Sequence, residues 1–259
     1  MTVDAEEWKR WTDARTAKVS APHGVLALTG THWLADDPVE IPGLPGRWSA
    51  AGPLARVTAA AADGLRVGEA VVDGEATLHP DTDPAAQVVR YQDVLAVPIE
   101  RDGELAVRVF DPAAETRRSF AGITVFPYAP EWSVPAVFTP FEAGEQSVTV
   151  PNADGRERPL AVTGQIAFHL AGEPYTLTVS TGGAGLSGVI ADATSGGETY
   201  RFRFVALPAP DPDGRTVLDL NRAFLPPCAF VDHFICPFPP PGNRLPIAVR
   251  AGEKAVLRT

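Results

Sequence analysis

The sequence predicts an all-β protein, an antiparallel sandwich or barrel with a short N-terminal helix and an ordered proline-rich C-terminal loop. Three observations predict this class. Short apolar runs alternate with polar residues at a period of two, and 26 prolines and 23 glycines are scattered between these runs. No helix-length periodicity separates the strands, and parallel strands would need such crossover segments. We therefore expect the sheets to be antiparallel.

The N-terminal helix is predicted over residues 4–19, within an N-terminal segment of residues 1–20. Asp4 is followed three residues later by Glu7, which is typical of a capped helix start. Trp8 and Trp11 fall on one side of the helix and are expected to pack on a neighbour.

A first β subdomain is predicted over residues 21–112. It begins with a strand in residues 24–34 and contains one clear hairpin, in which Asp102 and Gly103 turn the chain. Apolar residues alternate on both arms of this hairpin, so each arm should bury one face. A soft boundary follows at Pro112.

A second β subdomain is predicted over residues 113–259. Strand pairs are expected around the Asp154-Gly155 turn, in residues 164–180, and around residues 194–197. Residues 182–188 are expected to form a flexible turn. The alternation predicts Phe202 and Phe204 facing inward and Arg201 and Arg203 on the opposite face, and it predicts a strand over residues 216–222.

The proline-rich loop covers residues 224–246. Its prolines fix φ and remove backbone donors, so neither a helix nor a central strand can run through it. Large apolar residues interrupt the prolines, which favours burial rather than disorder. We expect this loop to fold inward as a lid over a hollow between sheets, where it would wall a mostly apolar pocket with convergent polar groups.

The composition excludes several classes of function. A net charge of −10 opposes binding to phosphate backbones, so no nucleic-acid partner is expected. No window approaches 18 consecutive apolar residues, and we expect no membrane partner. The first 20 residues lack the apolar run of a signal peptide, and two cysteines are too few for a disulfide framework. A cytoplasmic location is the expectation.

Several motifs together resemble a known family. They comprise Thr31 to Leu34; Arg118, Phe120 and Gly122; Asp192, Thr194, Gly196, Glu198, Thr199 and Tyr200; and a long tail pattern of Asp219, Asn221, Arg222, Ala223, Pro226, Pro227, Cys228, Ala229, Phe230, Cys236, Pro237, Pro240, Asn243, Arg244, Leu245, Ala251, Gly252, Glu253 and Lys254. This pattern resembles the uncharacterised bacterial family called domain of unknown function 1684, over nearly the whole chain. The resemblance implies no particular reaction.

Two positions depart from the pattern of that family. Leu225 stands where the family usually has Asn, and Val231, Asp232 and His233 replace a Thr-Pro-Tyr-like segment. The adjacent Asp and His indicate either a specialised member or drift on an exposed loop.

Chemistry is expected at the cysteines and at His233. His233 is the candidate general acid–base, because imidazole titrates near neutrality, and Asp232 or Asp219 could orient it. Cys228 and Cys236 could be buried residues that only pack, or they could form a disulfide. Cys228 could alternatively act as a nucleophile, or both cysteines and His233 could be ligands of a soft metal. The spacing does not match the usual structural zinc pattern, and no metal is predicted.

A second group of polar residues could bind a substrate. These residues are Asn221, Arg222, Asn243, Arg244, Glu198 and Tyr200. Arg pairs with carboxylate or phosphate groups, while the alternative role is to satisfy carbonyls that prolines leave without partners.

The sequence thus predicts a cofactor-independent enzyme that acts on a small organic molecule by acid–base chemistry, of hydrolase, cyclase or isomerase type. The alternative is a small-ligand-binding protein with the same pocket and no turnover. A small-molecule ligand is the expected partner, and a homodimer stays open.

Overall fold

The computed structural model describes residues 5–182 and 184–259 and divides the chain into two units. One unit is Lys18–Ser119, and the other combines Met1–Ala17 with Phe120–Thr259. Strands make up 46% of the protein, and every pair of strands in the described residues is antiparallel. The predicted all-β class is therefore confirmed. The change of unit between Ser119 and Phe120 lies near the boundary that the sequence predicts after Pro112.

The unit Lys18–Ser119 contains two sheets and one turn of helix, α2 (Glu115–Arg118). Its strands are β1 (Leu28–Trp33), β2 (Arg47–Ala51), β3 (Leu54–Ala59), β4 (Arg66–Val67), β5 (Ala70–Val71), β6 (Gly74–Leu78), β7 (Val89–Tyr91), β8 (Val94–Arg101) and β9 (Glu104–Phe110). They form a six-stranded sheet in the order β1-β9-β8-β7-β4-β5 and a three-stranded sheet in the order β2-β3-β6. The predicted hairpin is confirmed as β8 and β9, with left-handed backbone at Asp102 and Gly103.

The other unit begins with α1 (Ala5–Val19), whose last two residues fall in the unit Lys18–Ser119. Its strands are β10 (Phe120–Val125), β11 (Ser133–Pro140), β12 (Gln146–Pro151), β13 (Glu157–Val162), β14 (Gly164–Leu170), β15 (Glu173–Gly182), β16 (Gly185–Ile190), β17 (Arg203–Pro208), β18 (Arg215–Asp219) and β19 (Glu253–Arg258). The helix packs as predicted through Trp8, which donates from Nε1 to the Asn221 carbonyl at 2.9 Å. Asp4, the predicted cap residue, lies outside the described residues.

Six strands of this unit form a nearly closed barrel in the order β17-β16-β15-β14-β11-β18. The Thr216 hydroxyl donates to the Pro208 carbonyl at 2.9 Å and so links the two outer strands. Alternation fills the barrel interior with apolar side chains, among them Ile166, Phe168, Leu177, Val179, Leu186, Ile190, Val205, Leu207 and Leu218. Because this interior is packed, the barrel itself does not contain the hollow that the sequence predicts.

Two further pairs flank the barrel: the hairpin β12–β13 and the ribbon β10–β19. Neither described α-helix has the length and apolar character that crossing a bilayer requires.

Three local predictions are corrected. A flexible turn is predicted over residues 182–188, but Gly182 ends β15 and residues 185–188 belong to β16; residue 183 of this range lies outside the described residues. The predicted strand over residues 216–222 ends at Asp219, and a 3-10 turn follows over Leu220–Arg222.

The third correction concerns Arg203, which points inward and is fully buried, although it was expected on the outer face with Arg201. Val205 and Leu207 set the alternation of β17, and Arg203 shares their face, whereas Phe204 faces outward and is half-buried.

Candidate functional site

A cavity of about 280 Å³ lies on the outer face of the barrel, beneath the proline-rich loop. Its wall is mainly apolar, and it is formed by β13, β15, β16, β17 and the loop. The lining residues are Leu160, Val162, Thr178, Ser180, Ser187, Gly188, Val189, Phe204, Val205, Phe224, Pro237 and Pro240. The loop therefore covers a cavity, but one outside the barrel.

The strand period explains the floor of this cavity. In β15 Leu177 and Val179 are buried in the barrel, so Thr178 and Ser180 face outward and stay half-buried. Ser187 on β16 faces outward as well. A row of small hydroxyl side chains thus lines the floor.

Asn243 attaches the loop to the barrel between β15 and β16. The ladder of these strands covers Ser180–Gly182 and Gly185–Ser187 and does not extend to Thr178 and Val189. There the Asn243 amide accepts from Thr178 N at 2.7 Å and donates to the carbonyls of Thr178 and Val189 at 2.8 and 2.9 Å. Its side chain takes the place of a missing strand partner.

The hairpin β12–β13 holds the other side of the loop. Ala153 N donates to the Cys236 carbonyl and Phe238 N donates to the Pro151 carbonyl, both at 2.9 Å. Pro237, between these contacts, is fixed as a wall of the cavity.

An aromatic pair forms a further wall. Phe204 and Phe224 exchange both backbone hydrogen bonds, and their rings pack edge to face at 5.8 Å. The Arg15 guanidinium lies over the Phe224 ring at 4.9 Å from its centroid. The aromatic wall is therefore attached to both β17 and α1.

Three predicted site residues, Asp219, Asn221 and Arg222, lie together but do not line the cavity. Asn221 is buried, and its amide exchanges hydrogen bonds with the backbone of Ala129 at 2.9 and 3.1 Å. Asp219 Oδ1 caps the 3-10 turn by accepting from Asn221 N. Arg222 pairs with Glu7 at 2.6 Å and with Asp219 at 3.4 Å.

Burial raises the pKa of Asp219, although hydrogen bonds from Asn221 and the charge of Arg222 oppose this rise. Among the described residues, none donates a hydrogen bond to Asp219 Oδ2. These contacts anchor the chain as it enters the loop.

The predicted acid–base pair lies on the surface. Asp232 and His233 are exposed in a turn of the loop, and neither lines the cavity. Their proposed roles in catalysis stay predictions.

The remaining predicted binding residues are also separate from the cavity. Arg244 is exposed and makes a β-bridge with Ala191. Glu198 pairs with Arg250 at 2.8 Å on the surface, and this ion pair lowers the pKa of Glu198. The convergence of polar groups on one pocket, which the sequence suggested, is not what the structure shows.

Cys228 and Cys236 are buried cysteines that lie side by side and are not joined by a disulfide. Cys228 N donates to Cys236 Sγ at 3.3 Å. The Tyr200 hydroxyl donates to the Cys228 carbonyl at 3.2 Å and lies 3.7 Å from Cys228 Sγ. In the described part of the chain no three His, Cys, Asp or Glu side chains assemble as a metal site.

The thiol environment shifts two pKa values in opposite directions. A hydrogen bond from Cys236 lowers the pKa of Cys228 against the opposing effect of burial, with further lowering by Tyr200 and Arg201. Burial raises the pKa of Tyr200 to about 12, so its hydroxyl keeps its proton and can donate.

Sequence reasoning missed the floor of the cavity and one buried ion pair. The signal for the floor is the alternation in β15, where the hydroxyl residues Thr178 and Ser180 alternate with the buried Leu177 and Val179. Arg203 Nη2 pairs with Asp192 Oδ2 at 2.7 Å, with both side chains fully buried. Arg203 also donates to the carbonyls of Val249 and Ala251, so this pair holds the segment after the loop.

Comparisons with known proteins place the chain in a family. Residues 118–254 match the model of the family described as "Protein of unknown function (DUF1684)". The matched part is just over half of the chain and does not include Thr31 to Leu34. No curated protein matches. A solution NMR structure of an uncharacterized protein of Haloarcula marismortui is 32% identical, covers 54% of this chain and 77% of its own, and has a TM-score of 0.43. The chain belongs to the DUF1684 family, whose function is unknown.

Proposed function

We propose that this protein binds a small, neutral and mainly apolar molecule in the cavity beneath the proline-rich loop, without turnover. The observation that carries the proposal is the lining, which contains no charged or titratable side chain. Burial of a charged ligand without a partner would be costly, so the lining favours a neutral one.

The size and polar groups of the cavity support a specific ligand rather than a packing defect. Its volume of about 280 Å³ is close to the lower end of the range for ligand sites. Within the described residues, the hydroxyls of Thr178 and Ser187 make no hydrogen bond, whereas Ser180 donates to the Ala161 carbonyl. Two hydroxyls beside apolar walls can orient a ligand that carries one polar group.

The lining favours binding over acid–base catalysis. A general base must lie within hydrogen-bond reach of the proton that it removes. His233, Asp232 and Asp219 do not line the cavity, and none of the lining residues can replace them in this role.

The test uses the neutral fluorescent probe N-phenyl-1-naphthylamine and a variant that fills the cavity. Thr178→Phe places a ring on the floor, and we expect the affinity for the probe to fall by about tenfold or more, because the volume is lost. Gln165→Phe is the matched control, since Gln165 is the cross-strand partner of Thr178 in the β14–β15 ladder and is exposed on the same outer face, but does not line the cavity.

The control variant should bind the probe as the wild type does, and so should His233→Ala. Equal affinities in Thr178→Phe and Gln165→Phe would place the probe elsewhere and contradict the proposal. Circular dichroism and thermal unfolding of both Phe variants check that the barrel is intact.

A further inference from the structure

We propose that Cys228 and Cys236 form a hydroperoxide-oxidisable dithiol, in which Cys228 is oxidised first and Cys236 then closes a disulfide. The site is separate from the proposed ligand cavity and does not depend on it. It rests on the arrangement of three side chains, Cys236, Tyr200 and Arg201, around the Cys228 sulfur.

The first step of the argument is the position of the two thiols. The cysteines are eight positions apart in the sequence, and Cys236 Sγ accepts from Cys228 N at 3.3 Å. Both are buried and outside any disulfide, with 4% and 3% of their surface exposed. A second thiol so close to the first can react with it faster than a thiol in solution.

The backbone around both cysteines is fixed. Cys228 lies in the 3-10 turn Pro227–Ala229, and its carbonyl accepts from Tyr200. The Cys236 carbonyl accepts from Ala153 at the turn between β12 and β13. The relative position of the sulfurs is therefore set by the fold on both sides.

The surroundings favour the thiolate form of Cys228. The Tyr200 hydroxyl is 3.7 Å from its sulfur, and Arg201 Nη2 donates to that hydroxyl at 3.0 Å. The contact with Cys236 and these two groups lower the pKa of the Cys228 thiol. The thiolate is the form that attacks peroxides.

A small oxidant can approach along the same side chains. Arg201 is exposed, Tyr200 is half-buried and Cys228 lies behind its hydroxyl. The Tyr200 hydroxyl lies between the Arg201 guanidinium, 3.0 Å away, and the Cys228 sulfur, 3.7 Å away, and we infer that hydrogen peroxide enters on this side.

The chemistry balances in two steps. The Cys228 thiolate attacks one oxygen of hydrogen peroxide, an S–O bond forms, the O–O bond breaks, and hydroxide leaves and takes a proton to become water. The Cys236 thiolate then attacks the Cys228 sulfur, an S–S bond forms, the S–O bond breaks, and a second water leaves. Two thiols are oxidised and one peroxide is reduced to two waters.

The test treats the full-length protein with hydrogen peroxide and follows both thiols by mass spectrometry. We expect the mass to fall by two hydrogen atoms, with the peptides of Cys228 and Cys236 joined and dithiothreitol restoring both thiols. In Cys236→Ser the intermediate should persist and be labelled by dimedone at residue 228. In Cys228→Ser we expect no label at Cys236.

Tyr200→Phe keeps both thiols and the ring that packs on Phe202 at 5.7 Å, but it removes the hydroxyl. We expect the rate of thiol loss to fall by about tenfold, because the hydroxyl that helps to lower the pKa of the Cys228 thiol is gone. This variant tests the site even if a cysteine variant fails to fold.

Three results would overturn the proposal. One is that hydrogen peroxide consumes neither thiol in the folded protein while it consumes both in urea. Another is that dimedone labels Cys236 in Cys228→Ser as readily as Cys228 in Cys236→Ser. The third is that the oxidised protein contains only disulfides between chains.

Discussion

Buried polar side chains in this protein are used mainly to satisfy the backbone. Asn221 and Asn243 are nearly inaccessible to solvent, and their amides bond to backbone groups of Ala129, Thr178 and Val189. An unpaired buried amide or carbonyl costs about 1–3 kcal/mol, so irregular chain with many prolines needs such side chains. Polar residues in a buried, proline-rich loop therefore predict hydrogen bonds to the backbone as strongly as they predict a ligand-binding or catalytic site.

Asp219 provides a test by pH. Its folded-state pKa is raised above the ordinary value of 3.8, mainly by burial. The folded state therefore holds the proton more tightly than the unfolded state, and its stability falls as the pH rises from 3.8 through the raised pKa. We expect the free energy of unfolding of the wild type to decrease over this window relative to that of Asp219→Asn.

The measurement is urea unfolding of both proteins at several pH values across that window. The difference between the two free energies isolates the carboxyl group, because all other titrating groups are shared. If the wild type instead became more stable than Asp219→Asn as the pH rises, Arg222 and Asn221 would outweigh burial and the pKa of Asp219 would be lowered.

At the scale of elements, the segment entering β19 depends on one glycine. Gly252 has φ +78°, and a Cβ atom there would meet the Leu220 carbonyl oxygen at 2.9 Å and the Ala223 carbonyl oxygen at a shorter distance. Its own carbonyl accepts from Phe126 N at 2.9 Å. The close approach joins the segment before β19 to the 3-10 turn that precedes the loop.

Gly252→Ala should therefore lower the free energy of unfolding by about 3 kcal/mol, from left-handed strain and backbone contact together. Gly196→Ala is the control, because Gly196 has φ +80° but no atom within 4 Å of a Cβ. The control should lose only about 1 kcal/mol. If urea unfolding gave equal losses of free energy for Gly252→Ala and Gly196→Ala, the backbone near Ala223 would have moved to accommodate the added Cβ atom.

The elements that follow local patterns could be predicted from the sequence, and the site could not. The β8–β9 hairpin follows from alternation around Asp102-Gly103, and the irregular loop follows from its prolines. Arg203 was assigned to the wrong face because Phe202, which lies before β17, was counted in the alternation. The cavity needs Leu160, Phe204 and Pro237 together, and their proximity depends on tertiary packing that no local pattern contains.

At the scale of the whole molecule, the first helix and the last strand are joined by a buried ion pair. Arg15 Nε lies 3.1 Å from Glu253 Oε1, and Arg15 also donates to the Leu225 carbonyl at 2.8 Å. Glu253 is buried, and its other oxygen accepts from Leu225 N at 2.7 Å. The helix α1 thus supports the start of the loop although 210 residues separate Arg15 from Leu225.

Arg15→Ala leaves the Glu253 carboxylate buried without its cation, and we expect a loss of about 3 kcal/mol in the free energy of unfolding. Arg10→Ala is the control, because Arg10 is an exposed residue of the same helix. It should unfold as the wild type does in urea. If Arg15→Ala had the wild-type free energy of unfolding, the hydrogen bond from Leu225 N and the charge of Arg203 would be enough to stabilise the Glu253 carboxylate.

The amide of Asn243 has a consequence for biosynthesis. Thr178 and Val189 emerge from the ribosome 65 and 54 residues before the side chain that bridges them. We therefore expect β15 and β16 to lack this bridge beyond Ser180 until Asn243 has been synthesised. Closure of such distant contacts is slow, so nascent chains should expose this gap to chaperones from the synthesis of Val189 until after that of Asn243.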